Sequence, residues 1–355
     1  MSVGAVSEGM KAVQITAHGG PEVIEYGDAP APEVGNEDVR VDVKAAALNH
    51  LDVWTRRGLP GIDLDLPHTP GSDAAGVVRE VGADVTRFEP GDHVAVTAGV
   101  SCGDCEFCRH GEPSMCVSYH ILGEHVPGVH AEEFAVPEAN LVPVPDDVPW
   151  PVAGSASLVF GTAWRMLVDR ADLGPGESVL VLGASGGVGH AAVQIADYLG
   201  AEVFATASTD AKLDYAVDCG ADHAIDYETT DFAGEIRSLT DGRGVDVVVD
   251  HVGAETWGDS LASLAKGGRL VTCGATTGPN PETDINRIFW NQLSVIGSTM
   301  ATPGQFDDVL ELVWDGTFEP RIRETLPMSE TARAHELLEN REGFGKVVVV
   351  PDSEQ

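Results

Sequence analysis

The stretch VLVLGASGGVGHAAVQIADYLG, residues 179–200, decides the fold. An apolar run of strand character enters Gly183, Gly186, Gly187 and Gly189 and continues into a segment whose Val188, Ala192, Ile195 and Leu199 share one helical face before Gly200 ends it. Strand, glycine-rich turn and helix in that order make a phosphate-binding element. The glycines allow a tight turn and a close approach of backbone to a pyrophosphate, and the helix N-terminus stabilises the negative charge. A tight turn without a ligand would not need four glycines in seven residues.

Outward from this unit, short apolar runs alternate with amphipathic stretches: SVLVLG (178–183), EVFAT (202–206), HAID (223–226), DVVVD (246–250), GRLVTCG (268–274) and LSVIGS (293–298). Strands joined by helical crossovers imply a parallel, doubly wound sheet. Beyond residue 303 the sequence reads as a helix (GQFDDVLELVWDG), a second helix (SETARAHELLEN) and a closing strand (GKVVVV). Residues 11–150 instead read as short strands (KAVQITAHGG, VRVDVKAAAL, GVVREVGADV, GDHVAV, HAEEFAVP, NLVPVP) punctuated by Gly and Pro, a mostly β domain. The 355 residues are long for one core and argue for two domains.

Asp and Glu number 57 against 21 Lys and Arg, a formal net charge of −36 spread along the whole chain. That is a solvated acidic surface of the kind found in salt-accumulating organisms, where ionic strength screens self-repulsion. Phosphates would be repelled, which excludes nucleic acid as a partner. Apolar runs are short and broken by Gly or charge, which excludes a membrane span. The N-terminal MSVGAVSEGMKAV lacks the basic start and apolar core of a secretory signal, so the expected location is cytoplasmic.

Cys102, Cys105, Cys108 and Cys116 follow the pattern C-x2-C-x2-C-x7-C within SCGDCEFCRHGEPSMC, a lobe at about 99–118. Four thiolates saturate a tetrahedral Zn²⁺ and leave no open position, so the site reads as one structural zinc. An iron–sulfur cluster is the rival, but its motif places the fourth cysteine three residues on and before a proline. At the end of the second α/β strand, ATASTDAKLDY (205–215) carries Ala207 and Ser208 where an NAD site commonly has an acid, with Lys212 a turn later. A neutral tip beside a cation accepts a 2′-phosphate, which favours NADP(H); Asp210 keeps NAD(H) open.

Together these residues resemble the medium-chain dehydrogenase/reductase superfamily of zinc-type alcohol dehydrogenases and quinone oxidoreductases. The resemblance covers nearly the whole chain. It includes the cysteine lobe, Gly71-x4-Gly76-x5-Gly82, Gly91-Asp92-x-Val94, the loop Gly183–Gly189 and Gly345-Lys346-Val347. It implies an α/β protein with a GroES-like β domain (1–158 and 302–355), a Rossmann domain with a doubly wound parallel sheet (159–301), an active site in the cleft between them, and a homodimer or homotetramer joined partly near LSVIGS. The expected dinucleotide contacts are Thr162, Gly183, Gly186, Gly187, Val188, Gly189, Ser208, Lys212, Tyr227 and Gly274.

The departures from the family's alcohol dehydrogenases set the functional reading. Asn49 and Leu51 stand where those enzymes carry a thiolate ligand and a hydroxyl proton relay; Gly71-Ser72-Asp73 replaces Gly-His-Glu; the second cysteine ligand falls on Leu158 or a neighbour. A catalytic zinc needs three good ligands and an open position, and at best Asp73 remains. The resemblance then implies the metal-free branch, which moves hydride from NADPH to a quinone or an α,β-unsaturated carbonyl. Asn49 would donate to the developing oxyanion. His50 is a candidate catalytic donor, and the resemblance implies that it reaches towards the cofactor pyrophosphate. His125, beside Glu124, is a candidate proton donor or a loop residue fixing local backbone; His68 reads as a turn residue, Asp52 as a polar anchor, and His251 as bordering the nicotinamide or a surface loop. Two alternatives stay open: a zinc alcohol dehydrogenase with a site rebuilt from Asp73, His50, His68 or His125, and a non-catalytic NADPH-binding protein.

Overall fold

The computed structural model describes residues 9–340 and 343–354. The described residues divide into two compact units, one comprising residues 9–158, 302–340 and 346–354, the other Val159–Ala301 with the short segment Gly343–Gly345.

The second unit is built on a six-stranded, all-parallel sheet. Its order is His223–Asp226, Glu202–Ala207, Ser178–Val181, Val245–Val249, Leu264–Thr272, Ser294–Gly297, so the chain starts in the middle, winds to one edge, then returns and winds to the other. Ser178–Val181 is buried along its whole length because neighbours flank both edges and helices cover both faces, which explains its unbroken apolar run. The edge strand Ser294–Gly297 is mostly exposed. Leu180, Phe204, Ile225, Ile236, Val248 and Leu270 form the core on one side.

The first unit is a mostly antiparallel sheet centred on Asp38–Ala47, whose burial alternates along the strand as expected for one covered face. This strand pairs with Asp73–Val81, with Glu133–Pro137 and, at its C-terminal end, with Lys346–Val350. The last of these is also paired in parallel with Ile322–Pro327. Three elements here are not legible as local patterns. Ile24–Pro30 pairs with Gly9–Ile15 and reads as polar sequence; Ile322–Pro327 carries the adjacent charges Arg323 and Glu324 and ends in a proline; and the helix His50–Arg57 is short and rich in charge. Each exists because a neighbouring element supplies its hydrogen bonds or its apolar cover. The helix Trp150–Trp164 is nearly apolar all round, as befits a buried helix, and continues into the π-helical turn Arg165–Arg170, where charged residues appear. Among the described residues no helix is long and apolar enough to cross a membrane.

Candidate active site and metal centre

Sheet register assembles the polar centre of the first unit. Ala47 pairs with Asp73 on one side and with Val348 on the other. Continuing that antiparallel register two residues outward sets Asn49 opposite Lys346, and the Leu48 amide donates to the Val347 carbonyl at 3.0 Å. The side chains meet accordingly. Asn49 Nδ2 donates to Asp73 Oδ2 at 2.9 Å, Lys346 Nζ donates to Asn49 Oδ1 at 2.5 Å, and Lys346 Nζ lies 3.2 Å from Asp73 Oδ2. The other carboxylate oxygen, Asp73 Oδ1, accepts the Leu158 amide at 2.8 Å. Asp73 is wholly buried and Lys346 is 3% exposed, so this ion pair is out of reach of bulk water. A buried charge pair is tolerable only when each charge is matched and hydrogen-bonded, as here.

Asp52 lies beneath this centre at the start of the helix His50–Arg57. Its Oδ2 accepts the Asn49 amide at 2.7 Å and its Oδ1 the Gly71 amide at 3.0 Å, so it ties the Asn49 loop to the turn before Asp73. Burial raises its carboxyl above the ordinary range, against the opposing pull of His130, the Asn49 amide and Lys346. This is the anchoring role expected of it. His68, also buried, points Nε2 at the Gly123 carbonyl, 3.1 Å away, in keeping with a structural turn residue.

His50 and His125 lie outside the hydrogen-bonded cluster of Asn49. His50 is exposed and its ring leans towards Trp54, with centroids 6.3 Å apart. His125 Nδ1 accepts the Ile121 amide at 3.2 Å and sits 3.9 Å from Glu124 Oε1, in a tight turn of the lobe's exit loop. Burial and nearby His120 hold its imidazole below the ordinary value. Lys346 is the residue that sequence reasoning missed. It was visible only as part of a terminal Gly-Lys-Val, and nothing in the local sequence announces that its ammonium would land on a side chain 297 positions away.

In the lobe, a hairpin of Gly99–Val100 with His120–Ile121 closes a loop that carries the short helix Glu106–Arg109, with Cys105 at its N-cap. The four cysteine sulfurs lie within 4.8 Å of one another. Tetrahedral Zn–S bonds of ~2.3 Å would put sulfurs about 3.8 Å apart, so the cluster is of the right size. Backbone amides already point at the sulfurs, from Cys102 and Ser118 to Cys116 Sγ at 3.3 Å each and from Cys105 to Cys102 Sγ at 3.4 Å, as thiolate ligands require. The Cys108 amide leads the groups that hold the Cys105 thiol down at about 6, whereas desolvation and the neighbouring thiols push Cys108 up to about 11. Crowded thiols cannot all ionise unaided; a divalent cation in their midst would let them. Among the described residues this is the one group of three or more His, Cys, Asp or Glu side chains arranged to hold a metal. Asp73, His50, His68 and His125 form no such set. Cys273 is the opposite case, its thiol pushed by burial up to about 12.

The glycine-rich turn of the second unit joins the strand Ser178–Val181 to the helix Gly187–Tyr198. Gly183 takes φ +58, its amide donates to Thr206 Oγ1 at 3.2 Å, and Gly186 caps the helix Gly187–Tyr198. A Cβ on Gly189 would lie 2.2 Å from the Gly183 carbonyl, so only glycine lets helix and strand approach this closely. The first-turn amides of Gly187, Val188 and Gly189 are left for an anion. Ser208 and Lys212 sit one turn apart beyond Glu202–Ala207, with Lys212 Nζ donating to Ser208 Oγ at 3.4 Å. Tyr227 is exposed beside them, its amide bound to the Ala207 carbonyl at 3.2 Å. Asp226 Oδ1 accepts the Glu228 amide and Oδ2 the Thr229 hydroxyl. Gly274 follows the strand Leu264–Thr272, its carbonyl accepting from Thr272 Oγ1 at 3.1 Å, and Thr162 is buried in the helix Trp150–Trp164. His251 lies against the loop, where a Cβ on Gly183 would be 3.4 Å from Nε2.

Two family models match the chain. Residues 35–146 match the alcohol dehydrogenase GroES-like domain and residues 187–315 the zinc-binding dehydrogenase domain. A quinone oxidoreductase of Pseudomonas aeruginosa is 33% identical over 96% of this chain and 99% of its own length. Among solved structures, an NAD-dependent alcohol dehydrogenase is 46% identical with a TM-score of 0.93, covering 96% of this chain and 99% of that one. A crotonyl-CoA carboxylase/reductase solved with NADP is 26% identical with a TM-score of 0.91, covering 99% and 97%.

Proposed function

Because the chain belongs to the medium-chain dehydrogenase/reductase superfamily and is an NAD(P)(H)-dependent oxidoreductase, we propose that it reduces a quinone or an α,β-unsaturated carbonyl with NADPH and uses no catalytic metal. The observation that carries this reading is the buried Asn49–Asp73–Lys346 cluster, in which both Asp73 oxygens are occupied by N–H donors and none of the three side chains is a thiolate or imidazole. The bound cofactor supplies a hydride. The chain's own part is to bind the acceptor, to donate from Asn49 Nδ2 to the oxygen on which negative charge grows, and to keep water from that donor. Ser208, Lys212 and Tyr227 support NADPH over NADH, since together they offer hydroxyl, ammonium and phenol at one strand tip to a 2′-phosphate. The cysteine lobe would hold one structural zinc.

A homodimer or homotetramer is part of the proposal. The edge strand Ser294–Gly297 is unpaired on its outer side, and the helix before it exposes Ile285, Phe289 and Trp290 at 70%, 59% and 77%. A second copy would cover that apolar face. The acidic composition supports a cytoplasm of high salt as its setting.

NAD-linked alcohol oxidation is the second reading, favoured by the 46% identity to an NAD-dependent alcohol dehydrogenase. Zinc per chain, measured by elemental analysis of protein purified in high salt, together with an assay panel, separates the two. One zinc per chain and oxidation of NADPH by 1,4-benzoquinone or 2-cyclohexenone is the expected result. Two zincs per chain with turnover of ethanol or benzyl alcohol by NAD would establish the alcohol dehydrogenase instead, and NADPH binding without turnover of any acceptor would leave a non-catalytic binding protein.

A further inference from the structure

We propose that Lys346 is a positioning residue that locks the side-chain amide of Asn49 in a single flip state, so that the site presents a hydrogen-bond donor to the substrate oxygen; this rests on the reductase reading above. An asparagine amide has two ends of opposite character, and rotation by half a turn exchanges them at little cost unless its partners differ. Here they differ absolutely. The ammonium of Lys346 can only donate, and it faces Oδ1 at 2.5 Å; the carboxylate of Asp73 can only accept, and it faces Nδ2 at 2.9 Å. A flipped amide would set N–H against ammonium and carbonyl oxygen against carboxylate, two repulsions in a place with almost no water to relieve them.

The clamp itself is rigid. Lys346 opens the strand paired to Ala46 and Ala47, Asp73 opens the strand paired on the other side, and the Leu158 amide pins the second Asp73 oxygen. The amide's remaining hydrogen on Nδ2 has no acceptor among the described residues, and it is the polar atom that the clamp leaves for a ligand. Such a site favours a substrate whose oxygen gains negative charge during reaction, as a quinone or an enone does when hydride arrives. An alcohol undergoing oxidation needs a group that takes its proton, which a donor-only amide does not supply. Lys346 acts through Asn49 and is not itself assigned a contact with substrate.

The test is the double substitution Asp73→Asn with Lys346→Met, which removes both charges together and leaves neither buried alone. Two readouts apply. In steady-state assays with NADPH and whichever of 1,4-benzoquinone or 2-cyclohexenone the wild type reduces, kcat should fall about tenfold to a hundredfold with the KM for NADPH unchanged. Lys346→Arg, which keeps a cation and its donors, should recover much of the loss. In protein labelled with ¹⁵N-asparagine, the Asn49 side-chain amide, assigned by its disappearance in Asn49→Ala, should exchange with solvent slowly in the wild type and at least about tenfold faster in the double variant. Should that variant not fold, Lys346→Gln takes its place, because a glutamine amide can meet Asn49 as donor or acceptor. Wild-type kcat in the folded variant, or an unchanged exchange rate, overturns the proposal. If the wild type reduces neither acceptor, the reductase reading fails on its own, and the exchange rate alone decides whether Lys346 locks the amide.

Discussion

On the NADPH reading proposed above, Lys212 and Ser208 are the residues on which cofactor choice turns. The strand tip carries no acid of its own at position 208, and the ammonium one turn along is already drawn to the serine hydroxyl. Lys212→Glu should raise the KM for NADPH by about tenfold to a hundredfold, the worth of a charge-assisted hydrogen bond, while leaving NADH kinetics within a factor of about two. Parallel titrations with both reduced dinucleotides check this, and equal losses for both would point to a structural role. At this scale the sequence is most readable where chemistry is local. Four cysteines within fifteen residues, four glycines within seven and the replacement of ligand types at Asn49 and Ser72 each speak without a fold. Lys346 is silent by the same criterion, since its partners lie 297 and 273 positions away.

The helices His50–Arg57 and Thr331–Glu339 illustrate the element scale. Arg56 and Arg57 both reach Glu339 Oε1, at 2.7 and 2.5 Å, which joins the last turns of the two helices. One turn earlier on the second helix His335 is fully buried, and burial, aided by Arg56 and His130, holds its imidazole at about 3 rather than the ordinary 6.5. Burial lowers His68 and His130 in the same direction. The unfolded chain protonates these rings near 6.5 and the folded one does not. Stability is therefore complete above that pH and declines as pH falls, by about 1.4 kcal/mol per pH unit for His335 alone until its folded value is reached. Thermal melts from pH 8 to pH 5 at constant salt should show this decline, and His335→Phe should make it shallower; an identical slope in the variant would remove His335 from the account. The apolar half of the second helix was legible as a periodic pattern, but its partner His50–Arg57 was not, because eight residues with four charged or imidazole side chains give no amphipathic signal.

For the whole molecule the dominant quantity is the net charge of −36. At ~0.1 M salt the Debye length is about 10 Å, so acids across a surface patch repel; at ~1 M it is about 3 Å and they scarcely do. Melting temperature should accordingly climb from low salt to molar potassium chloride and level off once neighbouring carboxylates are screened. Sodium sulfate matched for ionic strength serves as a control for general salting-out, and a melting temperature independent of potassium chloride would show that the acidic surface costs the fold nothing.

What the sequence by itself determined is whatever depends on spacing along the chain: the glycine-rich turn, the cysteine lobe, the parallel character of the second unit's sheet and the residue types at Asn49, Ser72 and Leu158, none of them Cys or His. The tertiary structure alone decided which charge occupies that place. Asp73 and Lys346 open two strands and Asn49 lies two residues past the end of the strand between them; up to 297 positions apart, they meet because Ala47 pairs with Asp73 on one edge and Val348 on the other. Register is a property of the folded sheet, fixed by burial of one face and by hydrogen bonds between segments that share no local pattern, so no reading of one stretch could have placed the ammonium on the amide.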